Sequence, residues 1–234
     1  MSINGIFPME KWDFKSYSVL DDLPGDEAKI ITTHMHDQPC HKGEIIFREG
    51  AVPSGLFFIR KGKVKKYKID SQGSEQIIYI ANTGELIGYH ALLSEERYPD
   101  SATALEDSII AFVPKEDFLE VLKHSKVLSQ RLLKLLSHEF TVLANSVAFF
   151  ARRSVRERLA THLVVMREKY KENYEPGMDV EINLSRDDLA SMTGTARENI
   201  VRILKEFKEE GAIETRGRKI IVKDVRKLIK IADR

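Results

Sequence analysis

Residues 184–213 read LSRDDLASMTGTARENIVRILKEFKEEGAI, and their capping signals divide them into two helices around a tight turn. Ser185-Arg186-Asp187-Asp188 has the Ser-x-x-Asp form, in which a hydroxyl and a carboxylate three residues on satisfy the first unbonded N–H groups of a helix. Leu189, Ala190 and Met192 follow on one face, and the short helix ends at Thr193-Gly194. Thr195-Ala196-Arg197-Glu198 repeats the signal as Thr-x-x-Glu and opens a helix that runs to Glu210 and stops at Gly211. Two capped helices joined through a glycine make a helix-turn-helix. At 100° per residue Ile200, Ile203, Leu204 and Phe207 fall in one arc of about 100°, with Glu198, Arg202 and Lys205 opposite and Arg197 at the edge. One face packs and the other is left to read. A major groove admits a helix, Arg bonds guanine O6 and N7 bidentately, and Glu accepts from cytosine N4, so this set points to DNA.

Working outward, Ala212-Ile213-Glu214 and Lys219-Ile220-Ile221-Val222 flank Thr215-Arg216-Gly217-Arg218, a β-hairpin with a basic tip. It reads as a wing whose Arg216, Arg218 and Lys219 meet phosphates and attract DNA of any sequence. Asp224 caps a terminal helix, VRKLIKIA. Upstream, residues 152–170 form another helix, and KENYEPGMDVEINL is a loop leading to a short strand.

The charge agrees with this division. The whole chain of 234 residues carries +1, but residues 151–234 hold 20 Lys and Arg against 15 Asp and Glu, and residues 1–150 hold 17 against 21. A basic C-terminal part beside an acidic N-terminal part suits one domain that meets a polyanion and one that does not.

Between about Ile30 and Phe112 short apolar runs alternate with turn residues: GEIIF, GLFFI, GKVKKYKI, EQIIYIA, GELIGY and DSIIAFV. Strands at such even spacing predict a barrel or jelly roll. After Pro114 the pattern becomes helical. Leu128, Leu132, Leu135, Leu136, Phe140, Leu143 and Val147 recur at spacings of three and four, and Leu133, Val142 and Phe149 widen the stripe beyond what one packing partner needs. A helix over 126–150 then packs on its own roll and on a second copy, with Leu132, Leu135, Leu136, Phe140, Leu143 and Val147 as the dimer interface. The expected fold is α+β: an N-terminal segment (1–25), a double-stranded β-helix or jelly roll (26–125), a dimerisation helix (126–150) and a winged helix-turn-helix (151–234).

A glycine-punctuated β-roll, a long helix and a winged helix-turn-helix in that order resemble the family of the cyclic-AMP receptor protein and the fumarate–nitrate reduction regulator, over about residues 26–230. The resemblance implies a dimeric cytoplasmic transcription factor that binds double-stranded DNA, works with RNA polymerase and answers to a small-molecule effector. It places Arg197, Glu198 and Arg202 at the base-reading positions, implying a TGTGA-like half-site. It puts Arg186, Lys205 and Arg216 at backbone-contacting positions, and Ser185, Thr195 and Arg218 join them as candidates for the DNA backbone. The GELIG and DSATA stretches resemble the effector-pocket segment, which makes Gly84, Glu85, Gly88, Tyr89, Asp100, Ser101 and Leu143 the pocket candidates.

Departures from the family's pattern bear on the effector. Where cyclic-AMP binders place a Glu for the ribose and an Arg-Ser pair for the phosphate, this chain has Tyr89 and Asp100-Ser101, so a carboxylate replaces a cation. At about 4 Å and an effective dielectric near 20 that reversal is worth several kcal/mol against a phosphate. The helix positions that contact adenine are Leu143 and Ala144, without hydroxyls. Cyclic AMP is therefore not the expected effector, and one cysteine, Cys40, cannot hold an iron–sulfur cluster.

His34, His36, Cys40 and His41 form a ligand-like His-x-His-x3-Cys-His cluster in which a strand would put His34 and His36 on one face. It keeps open a haem- or metal-dependent sensor. No Glu stands at the cupin spacing after His36, and no nucleophile–base pair or phosphate loop is present, so the expectation is neither a cupin-type enzyme nor a metal site. Nor is there a signal-peptide pattern or a run of about 18 apolar residues, so neither export nor membrane insertion is expected.

Overall fold

The computed structural model describes residues 3, 5–14, 16, 19–20, 22–173 and 179–233. They form two units, Phe14–Phe140 and Met1–Asp13 with Thr141–Arg234.

The first unit is the roll. Its strands are β1 (His36–Cys40), β2 (Ile45–Phe47), β3 (Gly55–Lys61), β4 (Lys63–Ile69), β5 (Glu75–Asn82), β6 (Leu86–Ile87), β7 (Ser101–Ala104) and β8 (Ser108–Pro114). They make two four-stranded antiparallel sheets, ordered β1-β8-β3-β6 and β2-β7-β4-β5, which is the jelly roll the turn spacing predicts. Three helices belong with them: α1 (Gly25–Thr33), α2 (Tyr89–Leu93) between β6 and β7, and α3 (Lys115–His124). Gly88 precedes α2 with φ 82°, and a Cβ there would lie 3.2 Å from the Tyr98 ring, so the GELIG stretch needs a glycine at its end.

α1 corrects the reading of a strand from Ile30. Ile31 packs into the cluster that holds Phe118 and Val121 of α3, and the Ser125 hydroxyl donates to Glu27 at 2.6 Å. Tertiary packing overrides the β-branched propensity of Ile30, Ile31, Thr32 and Thr33.

The long helix α4 spans Lys126–Arg152, two residues beyond the expected end. Its Leu128, Leu132 and Leu135 lie in the roll's core with Tyr89, Leu92 and Phe118. Leu132 and Leu135 are thus 3% and 5% exposed inside their own protomer, which corrects their assignment to a dimer interface; Leu136 is partly buried against the same core. The outward stripe consists of Leu133, Phe140, Leu143 and Val147, exposed at 68%, 74%, 42% and 72%.

In the second unit α5 (Val155–Lys169) starts at a capping box of Ser154 and Glu157. β9 (Glu181–Ile182), α6 (Arg186–Thr193), α7 (Arg197–Glu209), β10 (Ile213–Arg216), β11 (Lys219–Val222) and α8 (Val225–Ala232) follow. The three strands form a sheet ordered β10-β11-β9. Of the expected loop before β9, residues 174–178 lie outside the described residues. Asp224 caps α8 by accepting from the Lys227 N–H at 3.0 Å, as its position predicts.

Candidate nucleic-acid interface and effector segment

The helix-turn-helix is built from local signals. Ser185 and Asp188 form the reciprocal capping box of α6, and Gly194 ends that helix in the left-handed conformation with φ 64°. Ile200, Ile203, Leu204 and Phe207 are buried, while Arg197, Glu198, Val201, Arg202 and Lys205 are exposed. The angular reading of α7 therefore holds side chain by side chain. Its cap does not: the residue before α7 is Ala196, without a side-chain cap, because the Thr195 hydroxyl instead accepts from the Asn199 amide at 3.0 Å.

The exposed cations are held by acids of their own surface. Arg202 Nη1 donates to Glu206 at 2.6 Å, and Arg197 Nε lies 3.8 Å from Asp187. Lys205 is 3.8 Å from Glu209. Arg156 of α5 braces the far end of α7 with bonds of 2.7 Å to Glu206 and 2.6 Å to Glu210, its guanidinium 4.7 Å from the Phe207 ring centre. Arg186 donates to the Arg218 carbonyl at 2.9 Å; burial, then Arg197 nearby, lower its pKa. In the wing Arg216 pairs with Lys219 across a two-residue loop, Gly217-Arg218. Arg216 also sits among Glu214, Asp179 and Glu181 at 3.2, 3.6 and 3.9 Å.

In the roll, the GELIG and DSATA residues meet partners from other strands and from α4. Gly84 closes the turn after β5 with its N–H on the Ile59 carbonyl at 2.7 Å. Glu85 is buried and accepts from the Tyr79 hydroxyl at 2.6 Å and the Asn82 N–H at 3.1 Å. Tyr89 is fully buried and donates to Glu139 of α4, whose other carboxylate oxygen lies 2.7 Å from His90 Nε2. Burial, then the Glu139 charge, raise the Tyr89 pKa. Ser101 Oγ accepts from the Glu49 N–H at 3.0 Å.

Asp100 corrects the expectation of a bare carboxylate. It is buried and paired with Lys66 Nζ at 3.1 Å, so the repulsion of an anion argued from Asp100 alone is largely cancelled. Leu143 lies beyond the roll unit, among Thr141–Arg234.

The four ligand-like residues do not converge. His34 follows α1 as its cap rather than sharing a strand face with His36, and its Nδ1 is 2.9 Å from Asp117. His36 Nε2 meets the Gln38 amide at 2.8 Å, and the exposed His41 lies 3.7 Å from Asp107. Cys40 is buried, its thiol held above the usual pKa by desolvation and then by Glu44. Among the described residues no group of three or more His, Cys, Asp or Glu is placed to hold a metal ion.

Residues 38–125 match the cyclic nucleotide-binding domain family, and residues 157–231 match the Crp-like helix-turn-helix domain family. This chain belongs to the Crp/Fnr family of transcriptional regulators. As a Crp/Fnr regulator it is 29% identical over 187 residues to electron transport regulator A of Shewanella oneidensis, covering 80% of this chain and 74% of that protein. It is 27% identical over 195 residues to the fumarate and nitrate reduction regulatory protein of Escherichia coli, covering 83% and 78%. A crp/fnr-family regulator from Eubacterium rectale shares its fold with a TM-score of 0.74 at 20% identity, over 99% of this chain and all of that one. FixK2 of Bradyrhizobium japonicum gives 0.74 at 21%, over 84% and 96%. The Crp/Fnr regulator is a DNA-binding transcription regulator of α+β fold.

Two residues of this Crp/Fnr regulator escaped the sequence reading. Lys66 could have been found from strand alternation, which puts it on the inward face with Val64. Glu139 continues the stripe of Leu128, Leu132 and Leu135 at a spacing of four, which marks a carboxylate on a core face. Val201, whose departure from the cyclic-AMP receptor's pattern bears on the outer bases of the half-site, is 51% exposed and stands between Arg197 and Arg202 on the reading face.

Proposed function

We propose that this protein is a homodimeric, sequence-specific regulator acting in the cytoplasm, which reads an inverted repeat with α7 and has no enzymatic role. The observation that carries the reading is α7 itself: four apolar side chains buried on one side, with Arg197, Glu198, Val201, Arg202 and Lys205 outward on the other. Arg197 and Arg202 bond guanine, Glu198 accepts from cytosine, and Val201 lies against a thymine methyl. Ser185, Arg186, Thr195, Lys205, Arg216 and Arg218 hold phosphates.

Residues 126–150 form the dimer helix between a sensor roll (26–125) and the reader (151–234), and Leu133, Phe140, Leu143 and Val147 supply the apolar contact. RNA polymerase is the partner that the family suggests. Cyclic AMP is a poor fit as effector: Lys66 is engaged by Asp100, the Tyr89 hydroxyl is engaged by Glu139, and Leu143 and Ala144 offer no hydroxyl.

Fluorescence anisotropy on a labelled TGTGA-type inverted repeat and on a scrambled duplex tests this reading. Preference for the repeat by about 1,000-fold or more at physiological salt is expected. Equal affinity for the two duplexes would refute it.

A further inference from the structure

β5 and β6 are the terminal strands of the two sheets, so each leaves one edge unpaired with another strand of its sheet. Ser16 and Phe14, ahead of α1, lie against these two strands. The Ser16 hydroxyl accepts from the Leu86 N–H at 3.0 Å and reaches the Leu86 carbonyl at 3.5 Å, along β6. Phe14 lies flat on Tyr79 of β5, ring centres 3.9 Å apart and planes 11° from parallel, and its N–H donates to the Tyr79 hydroxyl at 3.1 Å. Phe14 and Ser16 are 6% and 2% exposed, the burial of core residues.

Tyr79, under that ring, is linked through the sheet to the GELIG and DSATA stretches. Tyr79 pairs in register with Lys66, and Lys66 with Ala102 of β7, so one rung crosses β5, β4 and β7. Lys66 Nζ is 6.0 Å from the Phe14 ring centre and 3.1 Å from Asp100, two residues before Ala102. The Tyr79 hydroxyl donates its own hydrogen bond to Glu85, of the GELIG stretch, at 2.6 Å. Tyr79 thus offers a planar ring face and a hydroxyl oxygen that accepts from the Phe14 N–H, with a cation near the stacked ring, features by which a small aromatic ligand bearing a donor is bound.

We propose that the roll is self-liganded: Phe14 is an intramolecular occupant of an aromatic-ring site on Tyr79, and a small molecule binds there only by displacing it. The class that fits is a planar aromatic ring bearing one hydrogen-bond donor. The proposal goes beyond the DNA reading and does not rest on it.

Calorimetric titration of indole into the full chain and into Phe14→Ala tests this without any DNA. An emptied apolar ring site binds a ring of matching size. Phe14→Ala should bind one indole per chain at least tenfold more tightly than the wild type, and indole should raise the melting temperature of the variant alone. Equal binding by both chains, or no binding by a folded variant, would overturn the proposal. Should Phe14→Ala fail to fold, Phe14→Leu keeps apolar volume without the ring and carries the same comparison. Hydrogen exchange on the wild type adds an independent reading: the Leu86 amide should be strongly protected by Ser16, and exchange at the rate of an open chain would overturn the proposal as well.

Discussion

At the level of single residues, the Arg202 guanidinium is held in the unbound protein by Glu206 at 2.6 Å, with 63% of its side chain exposed. A surface pair of this i,i+4 kind is worth only about 0.3–0.5 kcal/mol, so a bidentate bond to guanine replaces it at little cost. Arg202→Ala should therefore lose about 1–3 kcal/mol on the preferred site and relax selectivity at one base pair, whereas Arg218→Ala should weaken every sequence alike and lower the salt slope by about one; anisotropy titrations over a salt series distinguish the two. Lys66 and Asp100 pose the opposite case, a pair with side chains only 7% and 10% exposed. Removing one partner strands the other charge, so Lys66→Met should cost about 3–5 kcal/mol in denaturant unfolding, and the double change Lys66→Met with Asp100→Leu should recover most of it. Asp100 was legible as an anomaly in the sequence, but its partner was not, because Lys66 reaches it from a strand more than thirty positions earlier. Motif reading compares a residue with its own segment, and electrostatics compares it with whatever the fold brings near.

Among the elements, α4 shows why a wide apolar stripe is ambiguous in sequence. Two stripes share the helix: Leu128, Leu132, Leu135 and Glu139 face the roll, and Leu133, Phe140, Leu143 and Val147 face outward. Their existence followed from the spacing, but which leucine belongs to which stripe depends on the rotation of the helix against the roll, which a sequence does not state. Phe140→Glu should yield folded monomers in sedimentation, since the side chain is exposed, while Leu135→Ala should cost about 2–5 kcal/mol of stability and leave the association state unchanged. The caps divide in the same way. Ser185 does what its motif says, and Thr195 does not, because Asn199 one turn on offers its amide to the same hydroxyl. In α5, His162 keeps some surface but its Nε2 is enclosed with no hydrogen-bond partner among the described residues, near Phe149, Phe150 and Arg158. Burial, then the Arg158 charge, lower its pKa to about 4, against a backbone hydrogen bond with Met192 that pulls the other way. The unfolded chain, with an ordinary histidine near 6.5, then binds the proton first as pH falls. Stability from this group is complete above about pH 6.5 and declines toward pH 4, by up to about 3 kcal/mol. His162→Gln should flatten that part of the pH–stability curve measured by urea unfolding.

For the whole molecule, the charge division between residues 1–150 and 151–234 and the order of roll, long helix and reader were open to reading from the sequence, because turn glycines, caps and periodicity act over a few residues each. The self-occupied ring site was not, since nothing in MEKWDFKSYS says which sheet edge Phe14 will reach. The central claim is that a two-fold dimer presents α7 twice, so that both copies enter successive major grooves about 34–36 Å apart. Selection of bound duplexes from a random pool, run in parallel with the wild type and with Arg202→Ala, measures this most directly. The account predicts an inverted repeat with half-sites about one helical turn apart, G·C pairs opposite Arg197 and Arg202, and loss of preference at one pair per half-site in the variant. Asymmetric sites, or an Arg202→Ala pool with the wild-type base preferences at uniformly lower affinity, would contradict it.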